Sequence, residues 1–219
     1  MKKSNNNKLG LIFTPIVFCL IMCLAVTAVV LPKYDKLSAL VGMFISDAQI
    51  DYSSSYENIF TPTKNSGDTV NAEDVEFPGL NKQFGELSIK GTTVDTKLFY
   101  GDGTVALRNG VGIYGGSFIP GYGKTILVAG HNNTYFNGLK TVKKGDIVKI
   151  KTSYGNYEYK ITNTALHDAD DKKSYDLEAD YENLILYTCY PFDSLGLTNE
   201  RFFVYAEKVK GPEIVGLYE

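Results

Sequence analysis

The chain has 219 residues, of which 44% are apolar and 21% charged, so it can build a substantial core and global disorder is disfavoured. Its net charge of −3 supplies none of the basic surface that a nucleic-acid partner requires. We therefore expect a folded protein with no nucleic-acid partner.

The first predicted element is a membrane anchor at residues 9–31, LGLIFTPIVFCLIMCLAVTAVVL. This run carries no charge and is long enough to cross a bilayer, for which about 20 apolar residues suffice. A cleaved signal peptide is the alternative, because Val26-Thr27-Ala28 offers small residues to a peptidase. The run is longer than the core of about 7–15 residues typical of signal peptides, which favours an uncleaved anchor.

Lysines flank the anchor unevenly and indicate its orientation. Lys2, Lys3 and Lys8 lie in the segment before it, and Lys33 and Lys36 follow it with one aspartate between them. This bias modestly favours a cytoplasmic tail at residues 1–8 and a domain outside the cell. We expect a single-pass protein of the cell membrane.

A polar stretch separates the anchor from the next apolar runs. Residues 51–76 are rich in Ser, Asn, Asp and Thr, and few apolar residues repeat there with any period. Such a composition is typical of a tether. We interpret residues 32–83 as an extracellular stalk and residues 84–219 as the functional domain.

The sequence of the domain at 84–219 has a pattern typical of an all-β protein. Short apolar or alternating runs recur between Gly, Pro, Asn and Asp residues: ELSIKG, TKLFYG, TILVAG, DIVKIKT, NYEYKITNTAL, NLILYTC and RFFVYAEKV. Long helical periods are missing. This pattern predicts a small β-barrel or sandwich with short helical turns.

Three scarce residue types lie at the ends of predicted strands. Cys189 is the only cysteine outside the apolar anchor, His131 is one of two histidines, and Arg201 is one of two arginines. Each has a simple structural interpretation, as a small buried residue, a surface histidine and a surface charge. Together they could supply a nucleophile, a proton donor and a group that stabilises an oxyanion. Periodicity alone does not show that they meet.

The motifs around these residues resemble the sortase family. ILVAGHNNTYFNGLKTVKKGDIVKI is similar to the sortase segment that carries the catalytic histidine, LILYTCYPF to the TLxTC motif, and TNERFFVYAE to the strand that begins with an arginine. The resemblance covers roughly residues 84–209. Tyr190-Pro191 after the cysteine most resembles class D sortases, with class E next.

This resemblance implies a closed β-barrel of about eight strands and a cysteine transpeptidase. Sortases cut an LPxTG-like sorting signal between Thr and Gly, form a thioacyl-enzyme, and pass the protein to a cell-wall or pilin amine. By position, Cys189 would be the nucleophile, His131 the acid and base, and Arg201 the residue that holds the substrate carbonyl. The expected partners are sorting signals of surface proteins, a peptidoglycan precursor or wall amine, and the membrane. No cofactor is implied.

Other features of the domain match no sortase motif. His167 and Arg108 are expected to be structural or surface residues. The acidic loop 167–183 leaves calcium binding open, because hard cations favour clustered carboxylates, but its spacing is not that of an EF-hand. We interpret it as a solvated loop beside the substrate groove.

Alternative functions fit less well. Caspase-like and papain-like proteases differ in the residues around the cysteine or in the order of Cys and His. L,D-transpeptidases carry a glycine before the cysteine and an arginine close behind it. A membrane-tethered β-domain that binds envelope ligands without catalysis and a pilus-polymerising sortase remain as alternatives.

Overall fold

The computed structural model describes residues 15–25, 27, 60–63, 67–194 and 198–216. The chain divides into two units, Met1–Ser54 and Ser55–Glu219. The predicted tail 1–8, much of the predicted anchor and residues 32–59 of the predicted stalk lie outside the described residues.

In the first unit, residues 15–25 and 27 are helical. The large apolar side chains of this helix are exposed, and so are Cys19 and Cys23. Within the described part of the chain, no helix combines the length and the apolar character needed to cross a membrane.

Ten strands lie in the described residues of the second unit. They are β1 (Thr69–Asn71), β2 (Gln83–Ile89), β3 (Asp95–Tyr100), β4 (Val111–Ile113), β5 (Thr125–Ala129), β6 (Ile147–Thr152), β7 (Asn156–Asp168), β8 (Asn183–Tyr190), β9 (Glu200–Lys210) and β10 (Glu213–Val215). The helical segments are short: an α-helix at Thr104–Asn109 and 3₁₀ turns at Ala72–Asp74, Asn137–Thr141 and Lys172–Ser174.

Eight of the strands form a closed barrel in the order β2-β3-β4-β5-β8-β9-β7-β6, with β6 pairing back to β2. The β3–β4 and β5–β8 pairs are parallel, and the others are antiparallel. The predicted all-β class, the closed barrel and the strand number are confirmed. Closure leaves these eight strands without a free edge.

Alternation along the strands separates the barrel interior from its outer face. Tyr157, Tyr159 and Ile161, which alternate along β7, are all buried in the main core. The sequence of β8 is instead largely a continuous apolar run, because both faces of this strand are covered. Its inward residues Leu184 and Leu186 join the main core, while the outward Ile185 belongs to a second apolar cluster.

The folded unit begins earlier than the sequence indicates. Strand β1 pairs in parallel with β10, and Val70, Ala72 and Val75 pack against the main core. The predicted domain start at residue 84 is therefore too late, and residues 69–83 belong to the fold rather than to a stalk. Three or four scattered apolar residues anchor this segment, too few to produce a period in the sequence.

Candidate active site

Cys189 is the second-last residue of β8 and lies directly opposite Arg201 of β9 in the antiparallel register. Directly opposite residues project to the same face of a sheet, with Cβ atoms about 4.5–5.5 Å apart. Cys189 follows the outward-facing Ile185 and Tyr187 along the strand, so it projects from the barrel wall instead of into the core. The cysteine is partly exposed and makes no disulfide.

Arg201 is held in place by its own loop. Its Nη1 donates to the carbonyl oxygens of Thr198, at 2.8 Å, and Glu200, at 3.0 Å, and to Oγ1 of Thr198 at 3.3 Å. A guanidinium has five N–H donors in a rigid fork. Among the described residues, Nε and Nη2 make no hydrogen bond, so the loop does not occupy these donors.

His131 follows β5 after Gly130, at the same end of the barrel. Strands β5 and β8 are parallel, and Ala129 lies opposite Tyr187. The contact continues for one more residue, because Gly130 N donates to the Tyr187 carbonyl at 3.3 Å and Thr188 Oγ1 donates to the Gly130 carbonyl at 2.7 Å. Extending this register by two residues brings His131 level with Cys189.

The imidazole of His131 is partly buried and, within the described residues, has no hydrogen-bond partner. Burial removes water from the ring and lowers its pKa below the usual value of 6.5. The neutral form therefore dominates at pH 7. A neutral imidazole can accept a proton and then return it as an acid, which suits acyl transfer.

The outer face beside the cysteine is aromatic and covered. Tyr187 stacks on Phe203 with ring centroids 5.7 Å apart, and Phe203 stacks on Tyr205 at 6.1 Å. Tyr175 and Leu177 of the acidic loop pack on this cluster. Burial, reinforced by the charge of Asp102, raises the pKa of Tyr187. The strands that carry Cys189 and Arg201 thus rest on a rigid apolar layer.

The second histidine lies in the same row of the sheet. His167 is opposite Arg201 across the β7–β9 pair, so β9 separates it from Cys189. Its Nδ1 lies 3.1 Å from Oδ2 of Asp171, and its ring packs edge-on against Phe203 at 5.5 Å. These contacts fix the acidic loop to β7, which fits the structural role expected for His167.

Arg108 is on the short helix Thr104–Asn109, and its carbonyl accepts a hydrogen bond from the Tyr135 hydroxyl at 3.0 Å. Nothing in the described contacts brings its guanidinium to Cys189.

The acidic loop gathers no metal site. The described residues contain no group of three or more His, Cys, Asp or Glu side chains able to hold a metal ion. Two of its carboxylates pair with lysines: the side chain of Glu182 is buried against Lys208 at 3.2 Å, and Asp180 pairs with Lys124 at 2.6 Å. The loop also packs on the barrel through Tyr175 and Leu177, while most of its other side chains are exposed or half-exposed.

Asn132 lies beside the site and is not among the site residues predicted from the sequence motifs. Asn132, next to His131, is only 6% exposed. Its amide reaches the loop that follows Cys189, where Nδ2 donates to the Pro191 carbonyl at 2.8 Å. The sequence offers only an Asn-Asn pair after the histidine, which gives no sign that the first is buried.

A family model for the sortase domain matches residues 87–209, more than half of the chain. The chain belongs to the sortase family. Sortases are cysteine transpeptidases, so the enzyme class expected from the motifs is confirmed.

Relatives agree with this assignment. Sortase D of Bacillus subtilis (strain 168) is 33% identical over 147 residues, which cover 67% of this chain and 74% of that protein. The predicted likeness to class D is thereby confirmed. Listeria monocytogenes sortase A is 25% identical, with a TM-score of 0.53, and the match covers 61% of this chain and 92% of that one.

A Clostridium perfringens sortase D5 transpeptidase shares the fold, with a TM-score of 0.54 at 20% identity, covering 61% of this chain and 82% of that one. The segment matched by the family model, residues 87–209, includes His131, Cys189 and Arg201.

Proposed function

We propose that this sortase cleaves an LPxTG-like sorting signal between Thr and Gly and transfers the protein to a cell-wall amine. The observation that carries the proposal is the pairing of Cys189 with Arg201 across the β8–β9 ladder, at the barrel end where His131 leaves β5. A nucleophile, a guanidinium and an imidazole thus share one rim, which is the set that acyl transfer through a thioester requires.

Cys189 acts as the nucleophile in the first half of the reaction. Its sulfur attacks the carbonyl carbon of the signal's threonine, and the thiol proton passes to the neutral imidazole of His131. The imidazolium then protonates the glycine nitrogen as the carbon–nitrogen bond breaks. The products of this half are a thioester on Cys189 and a free amine on the departing peptide.

The second half reverses these steps with a different amine. The acceptor nitrogen attacks the thioester carbonyl and its proton passes to His131. The carbon–sulfur bond breaks, and the proton returns to the sulfur of Cys189. A new amide joins the surface protein to the acceptor, for which an amine of a peptidoglycan precursor is the natural candidate outside the cell.

Arg201 stabilises the oxyanion that forms in both halves. Its Nη1 is fixed by the loop at 198–200, which leaves Nε and Nη2 to donate towards the carbonyl oxygen bound at Cys189. Because the guanidinium is already oriented, little reorganisation is needed when charge develops.

We further propose that residues 9–31 anchor the enzyme in the cell membrane, with residues 1–8 in the cytoplasm and the barrel outside. The uncharged run, the lysines before it and the helix at residues 15–25 support this arrangement. When protease is added to intact bacterial cells that make the full-length chain with a C-terminal tag, the tagged barrel should be degraded. In a separate experiment, deletion of residues 9–31 should release the chain from the membrane fraction. A mature chain that begins after Ala28 would contradict the anchor.

One experiment tests the reaction itself. The full-length chain is incubated with a randomised library of LPxTG-type peptides and several amines, including a peptidoglycan stem peptide, and the products are identified by mass spectrometry. The expected product joins the threonine carbonyl to an added amine. Transfer to a pilin lysine alone would favour a pilus-building enzyme, and no cleavage of any peptide would contradict the proposed function.

A further inference from the structure

The loops that follow His131 and Cys189 are joined by a buried amide. Nδ2 of Asn132 donates to the Pro191 carbonyl at 2.8 Å and lies 3.2 Å from Oγ of Ser194. The Ser194 hydroxyl itself donates to the Pro191 carbonyl at 2.8 Å. Asn132 therefore connects the residue after the histidine to the turn that begins two residues after the cysteine.

A second link runs beside the first. Nδ2 of Asn137 donates to the backbone carbonyl of Asn132 at 2.8 Å and to Oδ1 of Asp193 at 2.5 Å. The ammonium of Lys140 lies 3.3 Å from the other oxygen of Asp193. The two contacts to Asp193 are exposed, whereas Asn132 is buried, so the amide of Asn132 lies in the lower dielectric where a hydrogen bond is stronger.

The two loops differ in how the barrel holds them. The loop after His131 is fixed to the main core by Phe136 and Leu139, both fully buried. The turn after Cys189 has exposed residues at Pro191 and Asp193. Ladder pairing between β5 and β8 ends at Ala129 and Tyr187, before either reacting residue is reached. Phe192 attaches this turn to the core and packs on Phe202 with ring centroids 5.2 Å apart, so Asn132 adds a buried polar link between two loops that each contact the core.

We propose that Asn132 is a positioning residue that sets the separation of the His131 imidazole and the Cys189 sulfur. This inference rests on the proposed function, in which these two groups exchange a proton. Beyond the hydrogen bond from Thr188 to Gly130, the Asn132 amide fixes the residue after His131 against the Pro191 carbonyl and so limits the separation of the two strand ends. Proton transfer requires heavy atoms within about 2.6–3.2 Å, and a displacement of about 1 Å can lower a rate about 100-fold.

Three substitutions separate this role from a general effect on folding. Asn132→Ala removes the amide, and Asn132→Asp keeps the shape but places an ionised acceptor against the Pro191 carbonyl. Asn133→Ala is the matched control, because Asn133 is the same residue type one position on and is exposed. All three are made in the full-length chain, and rates are referred to the folded fraction measured by circular dichroism.

We expect kcat for transpeptidation to fall about 10- to 100-fold in both Asn132 variants, with KM within about threefold of the native value. Asn133→Ala should stay within about twofold on both constants. A loss of positioning lowers the rate of the chemical step and leaves the affinity for the peptide unchanged. Equal kcat in Asn132→Ala and Asn133→Ala, or a loss confined to KM, would overturn the proposal.

A second measurement needs no peptide substrate. The ring nitrogens of His131 are followed by NMR before and after iodoacetamide alkylates Cys189. In the native chain and in Asn133→Ala, alkylation should shift these resonances, because the sulfur lies beside the ring. In Asn132→Ala the response should be at least halved. An undiminished response would overturn the proposal, whatever the fate of the sorting-signal reaction. If the response falls but no peptide is cleaved, the proposed function fails and the positioning role stands.

Discussion

Arg201 lies directly across the β8–β9 ladder from Cys189, and its Nη1 is held by the carbonyl oxygens of Thr198 and Glu200. An arginine bound in this way on one side presents its remaining donors in a fixed direction. The ladder therefore delivers both a thiol and an oriented cation to one rim, without help from a metal or cofactor in the proposed mechanism.

Arg201 is the first target for substitution. Arg201→Ala and Arg201→Lys should each lower kcat/KM at least about 100-fold, the usual effect of losing a donor to an oxyanion. Lysine keeps the charge but lacks the planar fork that binds the 198–200 loop and, in the proposed mechanism, the substrate carbonyl. Steady-state cleavage of an LPxTG-type peptide measures the effect. Lys210→Ala, at the other end of β9, is the control and should be near native. An Arg201→Lys enzyme with native kcat/KM would contradict the oriented-fork account.

The titration of His131 follows from its burial. We expect a pKa below 6.5 in an NMR titration of the folded chain, because desolvation disfavours the imidazolium. The unfolded chain takes up this proton at higher pH than the folded one, so stability is lost as pH falls below about 6.5. His131→Gln should reduce that acid dependence of the free energy of unfolding. A folded pKa at or above 6.5 would show that the neighbouring groups outweigh burial.

Most of the barrel could be predicted from the sequence, because even a short run of alternating or continuous apolar residues indicates a strand. Tyr157, Tyr159 and Ile161 alternate in the sequence and so share one face of a strand, and the structure buries all three. The three scarce residues at strand ends were also identifiable. Their common rim was not, because it depends on the parallel β5–β8 register, which no local pattern encodes.

Two features had no signal in the sequence. Residues 69–83 resemble a polar tether, because only a few apolar side chains fix them to the core and β1 has three residues. Asn132 and its exposed neighbour Asn133 are the same residue type, so the sequence does not indicate which of them is buried. Its partners lie some sixty residues away, and only the closed barrel brings them into contact.

The early start of the fold can be tested by truncation. A chain that begins at residue 84 lacks β1 and the packing of Val70 and Val75 against the core. Partial burial of these side chains should contribute about 2 kcal/mol to the free energy of unfolding, measured with urea. A chain that begins at residue 55 is the reference. Equal midpoints and slopes for the two chains would mean that residues 69–83 do not stabilise the barrel.

A buried ion pair lies at the barrel end opposite Cys189. Glu182, with a side chain 4% exposed, accepts from Lys208 at 3.2 Å, from the Tyr159 hydroxyl at 2.7 Å, and from the backbone of Gly121 and Gly123 at 3.1 Å. Removing one partner of such a pair leaves an uncompensated charge and costs about 3–5 kcal/mol. We therefore expect Glu182→Gln to lower the free energy of unfolding by about 3 kcal/mol or more.

The control for Glu182→Gln is Asp180→Asn, which breaks the exposed contact between Asp180 and Lys124. Solvent screens exposed pairs and they contribute little to stability, so this variant should be near native in urea unfolding. Activity per folded molecule should be unchanged in both variants, since the pair is at the far end of β8 from Cys189. Equal stability losses in the two variants would contradict the importance assigned to burial.

The most direct test of the central claim is the intact mass of the full-length chain during reaction with an LPxTG-type peptide and no added amine. We expect an adduct equal to the peptide's N-terminal fragment through threonine, attached to Cys189 as a thioester and discharged by an added amine. The Cys189→Ala chain should form no adduct and cleave no peptide. Cleavage by Cys189→Ala, or an adduct on any other residue, would contradict the assignment of Cys189 as the nucleophile.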